Sequence, residues 1–325
     1  MAKKILVTGS EGFVGRHLRR VLAARGVEVV GVDLPDRGAE VARNLADASF
    51  SAEELAETVG AVDGIVHLAA RITRGSSVDG EARRNLRAIA EVPVRLMEAW
   101  TTRHGTTHLV FCSSIKVYGP RGPLPIDPDV SPLHPEAHSY GSAKALAERL
   151  LEISRARGRG TCAIVRPSYI YGPGQPATTA IPAFLRACWQ GNAPVVFGDG
   201  MQLRDDVLAS DVAFCLAEAC LRRVEGAFNA AGEGARTLFQ VAELCCRAVE
   251  ALGGPRALMP TLSSARAPAR WIDQTFDISR TRALLGYEPA SLLEGLKQEA
   301  RWISEGADPD RSGEYAELPG QRGAP

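Results

Sequence analysis

Three glycines at three-residue spacing, Gly9, Gly12 and Gly15, follow directly on the apolar run Lys4-Ile5-Leu6-Val7-Thr8. That run fits a buried parallel strand. Behind the glycines, Arg16-His17-Leu18-Arg19-Arg20-Val21-Leu22 carries apolar residues at helical spacing. Strand, tight glycine turn and helix in that order leave few architectures open. Gly9 frees the chain to reverse, Gly12 lets backbone N–H groups approach a diphosphate, and Gly15 lets the helix close on the strand. The partial positive charge of the helix N-terminus then favours the diphosphate at that end. An ordinary strand–turn–helix has the same spacing, so the next strand decides. Val27-Glu28-Val29-Val30-Gly31-Val32-Asp33 ends in an acid 18 residues past Gly15, where a carboxylate accepts from both hydroxyls of an adenosine ribose. An acid there repels a 2′-phosphate, so the pattern favours NAD over NADP, with Arg37 nearby as the opposing charge.

The rest of the chain alternates strands and helices. Ser51-Ala52-Glu53-Glu54 has the capping-box pattern of a helix start. Val62–Ala70 reads as a third strand closing on Leu68, Ala69 and Ala70, small enough for a cofactor to lie close over the sheet. His67 within it reads as a buried histidine bonded to backbone. A helical stretch runs from about Ser77 to Arg103, and Pro93 is expected to kink or divide it. Thr107–Cys112 and Thr161–Pro167 are further strands, and Ser139 opens a helix through Leu151. This alternation predicts an α/β fold with a Rossmann-type doubly wound parallel sheet.

Past Ser168 the regularity fades. A helix is expected around Ile181–Gln190 and a short strand at Val195–Phe197. Arg204–Leu208 should be a strand running into a helix capped by Ser210 or Asp211. Further helices are expected over 211–223, 237–252, 279–285 and 291–304. The expected division is an NAD-binding domain over 1–170 with returns near 203–232, a smaller substrate-binding lobe over 171–305, and a loose polar tail over 306–325.

Charge excludes some partners. Lys+Arg and Asp+Glu both total 38 in 325 residues, so nothing points to nucleic acid or an anionic membrane. No apolar run approaches the length of a membrane span, and the first strand leaves no room for a targeting segment. Seven scattered cysteines without zinc-type pairs suit buried thiols in a reducing compartment, hence the cytoplasm. The histidines show no metal-ligand spacing, so no metal is expected. Cys112 adjoins the stretch described next, and its apolar neighbours make it a packed thiol rather than a nucleophile.

The chemistry-bearing set is Tyr140-Gly141-Ser142-Ala143-Lys144 with Ser114. Spacing of four on a helix puts Tyr140 and Lys144 on one face, one turn apart. An ammonium beside a phenol favours the phenolate, and an oxidised nicotinamide adds further positive charge. Tyr140 can then take a proton from a secondary alcohol while hydride leaves the same carbon. Ser114, just beyond a strand end, can hold the alcohol or carbonyl oxygen in line.

With these residues in place, the sequence resembles the extended short-chain dehydrogenase/reductases of the NAD-dependent epimerase/dehydratase group. The resemblance covers roughly residues 3 to 300. It rests on the glycine turn, Asp33, His67–Ala70, Asn85, Ser113–Gly119, Tyr140–Lys144, Tyr171-Gly172-Pro173-Gly174, Arg204-Asp205-Asp206 and Leu285–Pro289. It implies Ser114, Tyr140 and Lys144 as catalytic residues, with Tyr140 and Lys144 also holding the nicotinamide ribose. It implies Gly9, Gly12, Phe13, Val14, Gly15, Asp33, Asn44, Leu45, Leu68, Ala69, Ala70 and Asn85 around NAD. Ser114, Tyr169, Arg204 and Arg270 fall on the substrate side, the arginines where nucleotide-sugar members meet a diphosphate. A homodimer through the helices near 77–103 and 140–157 is expected by the same analogy.

Departures from the family pattern narrow the reaction. Family dehydratases place acids directly after the catalytic hydroxyl, where this chain has Ile115 and Lys116. An asparagine three residues after the strand arginine is replaced by Tyr169. The reading that results is an NAD-dependent epimerase or oxidoreductase acting on C4 of a nucleotide-activated sugar. A net dehydrogenase or ketoreductase of a keto-sugar or another cyclic ketone is the alternative. A dinucleotide-sensing regulator is disfavoured because Ser114, Tyr140 and Lys144 are all kept.

Overall fold

The computed structural model describes residues 2–70, 80–119, 125–129, 139–256, 259–265 and 274–306. Its first half runs β1 (Lys4–Thr8), α1 (Phe13–Ala23), β2 (Glu28–Asp33), β3 (Val41–Ala42), α2 (Ala52–Val59), β4 (Gly64–His67), α3 (Gly80–His104), β5 (His108–Cys112), a 3-10 helix (Ile115–Tyr118), α4 (Ser139–Ala156) and β6 (Thr161–Pro167). The second half runs β7 (Tyr169–Tyr171), α5 (Ala180–Trp189), β8 (Val195–Phe197), β9 (Leu203–Arg204), β10 (Asp206–Leu208), α6 (Ala209–Leu221), β11 (Gly226–Ala230), β12 (Arg236–Thr237), α7 (Leu238–Ala251), β13 (Thr261–Ser263), α8 (Ser279–Leu285) and α9 (Leu292–Ser304).

Seven strands form one sheet in the order β11-β6-β5-β4-β1-β2-β3, every pair parallel. Strand residues alternate between two cores, as a period of two requires. Ile5, Val7, Val66 and Val110 pack with α1 and α6. Leu6, Ile65, Leu109 and Phe111 pack with α2, α3 and α4. Such strands are apolar on both faces because helices cover both. The chain leaves β1 toward β2 on one side and reaches β4 on the other. The crevice at that reversal opens at the carboxyl ends of β1 and β4, where open α/β sheets bind ligands. A separate core, with Phe184, Leu185, Val241, Val249, Leu296 and Ala300, joins α5, α7 and α9.

Two expectations need correction. Pro93 does not divide its helix: α3 is continuous from Gly80 to His104. Leu96, Met97 and Trp100 bury against the sheet in the same core as Ala147 and Leu151 of α4, and such packing outweighs one lost backbone bond. Neither Ser210 nor Asp211 caps α6, whose N-cap is Leu208. The strand β10 runs straight into the helix, leaving both residues buried in its first turn. Ser51 caps α2 as expected, its Oγ accepting from Glu54 N at 3.1 Å. The tail expected over 306–325 lies outside the described residues beyond Gly306.

Candidate active site

The glycine turn is built by close approach. Gly9 has φ +71°, and a Cβ on it would stand 2.9 Å from Ala69 N, so a side chain would push β1 and β4 apart. A Cβ on Gly15 would collide with Gly9 O and lie 2.6 Å from Ser10 O. Gly15 thus lets α1 close on the carbonyls of the turn that ends β1. At Gly12 a Cβ would meet only Gly9 O, at 3.2 Å. The unbonded N–H groups of the first turn of α1 therefore face the crevice with no side chain over them. Phe13, Val14, Asn44, Leu45, Leu68, Ala69 and Ala70 line the same crevice.

Asp33 ends β2 as expected. Its Oδ2 accepts from Glu11 N at 2.9 Å and its Oδ1 from Leu34 N at 2.8 Å. Two backbone donors fix the carboxylate at the rim and leave lone pairs on both oxygens for a ligand. Asn85 is 6 % exposed and its Nδ2 has no partner. With no partner among the described residues, this buried amide beside an open groove is a donor free for a ligand acceptor. The diphosphate, ribose and amide contacts of NAD all find matching groups here.

His67 is buried, but its partner is a side chain, not backbone: Nδ1 lies 2.8 Å from Thr8 Oγ1. Burial, aided by Lys144, drops its pKa to about 3, so the ring is neutral. His17 gave no sequence signal beyond a helical position. Its Nε2 lies 2.8 Å from Pro173 O, tying α1 to the loop after β7, and burial holds it neutral with a pKa of about 4.

Ser114, Tyr140 and Lys144 border one cavity of about 1690 Å³ with the glycine turn. That exceeds the roughly 300–1,000 Å³ of sites for one drug-sized ligand, and suits a dinucleotide plus a second molecule. Ser114 is the N-cap of the 3-10 helix, its Oγ accepting from Lys116 N at 3.2 Å. Lys144 is 2 % exposed. Its Nζ donates to Cys112 O at 2.7 Å and stands 4.5 Å from the Phe111 ring centroid and 5.7 Å from that of Tyr140. A Cβ on Gly141 would collide with Lys116 O. That glycine lets the first turn of α4 press Tyr140 against the Ser114 turn.

Electrostatics run against the simple expectation for this pair. Burial lowers the Lys144 pKa to about 8 and pushes the Tyr140 phenol well above its usual value. Desolvation disfavours both charged forms and is the largest influence on each. Burial likewise raises the Cys112 thiol; it stays protonated, a half-buried cleft wall and no nucleophile.

Behind the pair lies a network that no local spacing announces. Glu148, one turn past Lys144, accepts from Arg166 Nε at 3.1 Å and Nη2 at 2.7 Å, and from the Ser113 hydroxyl. Arg166 Nη1 donates to Tyr118 Oη at 2.9 Å, and Tyr118 donates to Asn229 Oδ1 at 2.5 Å.

On the far side of the cavity, the Tyr169 ring has Arg204 at 4.6 Å and Lys116 at 5.2 Å from its centroid. Arg204 Nη2 pairs with Asp206 Oδ1 at 2.5 Å. Arg270 lies outside the described residues.

Comparison with known proteins identifies the family. The family model for the NAD-dependent epimerase/dehydratase family matches residues 5–231. A Bacillus subtilis (strain 168) protein named as an uncharacterized UDP-glucose epimerase, YtcB, is 30 % identical, covering 93 % of this chain and 98 % of its own. The UDP-glucose 4-epimerase of Mycolicibacterium smegmatis is 31 % identical over 90 % of this chain and 96 % of its own. Among solved structures, MoeE5 in complex with UDP-glucuronic acid and NAD superposes with a TM-score of 0.75 at 30 % identity, covering 93 % of this chain and 99 % of that one. A family model matched over residues 5–231 and kinship along nearly the whole chain make this protein a member of the NAD-dependent epimerase/dehydratase family.

Proposed function

We propose that this enzyme is an NAD-dependent nucleotide-sugar 4-epimerase. One observation carries the reading: a single cavity joins the glycine turn and Asp33 to Ser114, Tyr140 and Lys144, and continues to Arg204. Relatives above 30 % identity include a UDP-glucose 4-epimerase, and MoeE5 has been solved with NAD and either UDP-glucuronic acid or UDP-glucose.

In this reading Gly9, Gly12, Gly15 and the first turn of α1 (Phe13, Val14) hold the diphosphate of NAD. Asp33 takes the adenosine ribose hydroxyls and repels a 2′-phosphate. Asn44 and Leu45 flank the adenine, and Leu68, Ala69, Ala70 and Asn85 border the nicotinamide half. Residues 1–170 and 203–232 form the cofactor side, and 171–305 the substrate side. NAD, when bound, supplies the hydride acceptor and returns the same hydride to the opposite face of the sugar carbon.

The chain's own residues handle oxygen and proton. Ser114 Oγ holds the C4 oxygen through both half-reactions. Tyr140 Oη takes the C4 hydroxyl proton and gives it back, with Lys144 fixed behind it by the Cys112 carbonyl. Arg204, stacked on Tyr169, faces the substrate diphosphate. Dehydration finds no acid at its expected place: Ile115 is 2 % exposed in the core, and the next residue is Lys116. A homodimer fits Leu146 and Ile153, seven apart on α4 and still 52 % and 37 % exposed. Seven free thiols suit a reducing cytoplasm.

A net reductase is the second reading, favoured by dTDP-4-dehydro-6-deoxy-D-allose reductases 27 % identical over more than 90 % of this chain. Incubation with limiting NAD and a panel of UDP- and dTDP-hexoses separates the two. Epimer formed in large molar excess over NAD is expected. Strict stoichiometry between cofactor turnover and product would overturn the epimerase in favour of the reductase.

A further inference from the structure

The cavity contains a cation with no task in the reaction above. Lys116 lies two residues past Ser114 in the same 3-10 turn, lines the cavity, and its Nζ faces Tyr169. The two cations on that ring are not equivalent. Arg204 is paired with Asp206, which is 6 % exposed, so together they add little net charge. Among the described residues no carboxylate acts on Lys116. Burial and the Arg204 guanidinium both push its pKa down. Among the described residues lining the substrate half of the cleft, Lys116 is therefore the cation with no carboxylate beside it.

Its position decides which anion it meets. Resting on the 4-epimerase reading, Ser114 holds the C4 oxygen. In a pyranose, C1 with its diphosphate lies across the ring from C4, whereas C5 and its substituent C6 adjoin it. Lys116 projects from the Ser114 turn itself and is assigned to the C4–C6 edge, while Arg204, which reaches the same Tyr169 ring from β9, is left for the diphosphate. We propose that Lys116 forms a carboxylate subsite at C6, so that the preferred substrate is a nucleotide-linked uronic acid rather than a neutral hexose. The ammonium acts as a point charge that hydrogen-bonds the carboxylate in both epimers, since C6 is unchanged by inversion at C4. Tyr169, in place of a smaller polar residue, gives that ammonium an aromatic wall to rest on.

The test compares kcat/KM for UDP-glucuronate and UDP-glucose in the NAD-loaded enzyme, for wild type, Lys116→Met and Lys116→Arg. Wild type is expected to prefer UDP-glucuronate. In Lys116→Met the uronate-to-glucose ratio should fall about 10–100-fold, the scale of one lost charged hydrogen bond, and Lys116→Arg should retain most of it. A ratio that moves less than threefold overturns the subsite. So does an equal loss on both sugars, which would assign the cation to the diphosphate they share. Turnover of UDP-glucose without UDP-glucuronate in wild type sinks the subsite and leaves the epimerase standing. Neither turnover nor calorimetric binding of either sugar sinks both.

Discussion

The Glu148–Arg166 pair offers the sharpest structural test. The two side chains are 1 % and 5 % exposed, so water cannot replace either partner. Glu148 accepts twice from Arg166 and once from Ser113. Burial works against the Arg166 charge, and Glu148 with Tyr118 more than offsets it, holding the guanidinium above its usual range. Glu148→Leu strands that guanidinium in the interior, at a cost of roughly 3–5 kcal/mol. Set against a typical total of about 5–15 kcal/mol, this is a third or more of the stability. The double variant Glu148→Leu/Arg166→Met removes the charge along with its partner and should recover most of the loss. Urea unfolding followed by circular dichroism measures both. A single-variant loss below about 1 kcal/mol, or a double variant no better than the single, refutes the account. The pair also reaches the chemistry. Ser113 adjoins Ser114, and the Glu148 charge props up the Lys144 pKa. Glu148→Gln keeps the shape without the charge, so the alkaline limb of kcat should move to lower pH.

Two further outcomes follow from single residues. Asp33→Ala should weaken NAD binding about 10–100-fold while narrowing the gap to NADP; an unchanged NAD-to-NADP ratio in calorimetry would remove Asp33 from the cofactor site. Glu299 is fully buried, and burial raises its pKa to about 8 against the smaller opposing pull of the Gly172 N–H and Arg186. The folded state then keeps a proton that the unfolded state has released. Its contribution to stability is therefore present below the unfolded value near 4.5 and is lost as pH rises through about 8. Glu299→Gln should flatten that decline and stabilise the protein at pH 8 by roughly 1–3 kcal/mol; equal pH slopes in wild type and variant would refute it.

The framework of the fold was legible because it rests on local chemistry. β-branched runs, glycines at a turn and four-residue helical spacing each declare themselves within a dozen residues. What escaped notice depends on distant partners. The start of α6 is set by β10 feeding straight into it, so Ser210 and Asp211, good caps by type, are swallowed by the helix. The continuity of α3 through Pro93 comes from burial of Trp100 and its neighbours. Glu148 and Arg166 stand on a helix and a strand whose pairing only the sheet order fixes. Lys116 read as a mere departure from the dehydratase pattern. Its meaning comes from Tyr169, brought to it from the other side of the cavity.

The largest departure concerns Tyr140 and Lys144 themselves. Spacing alone puts an ammonium beside a phenol and predicts that the phenolate gains. In the folded protein the same low-dielectric wall disfavours charge on both. The amine falls to about 8 while the phenol rises, so on raising the pH the pair gives up the ammonium proton first. A tyrosine in that state is a proton donor, not a base. Phe111 and the Cys112 carbonyl hold Lys144 where its charge survives at neutral pH, but they do not make the phenolate. A further positive charge beside Tyr140 would favour the phenolate. The oxidised nicotinamide is a cation of that kind, and the groove that fits NAD ends at this pair. Filling the cofactor groove with NAD is therefore expected to lower the Tyr140 pKa, and a phenol titration that does not move when NAD is added would refute this account.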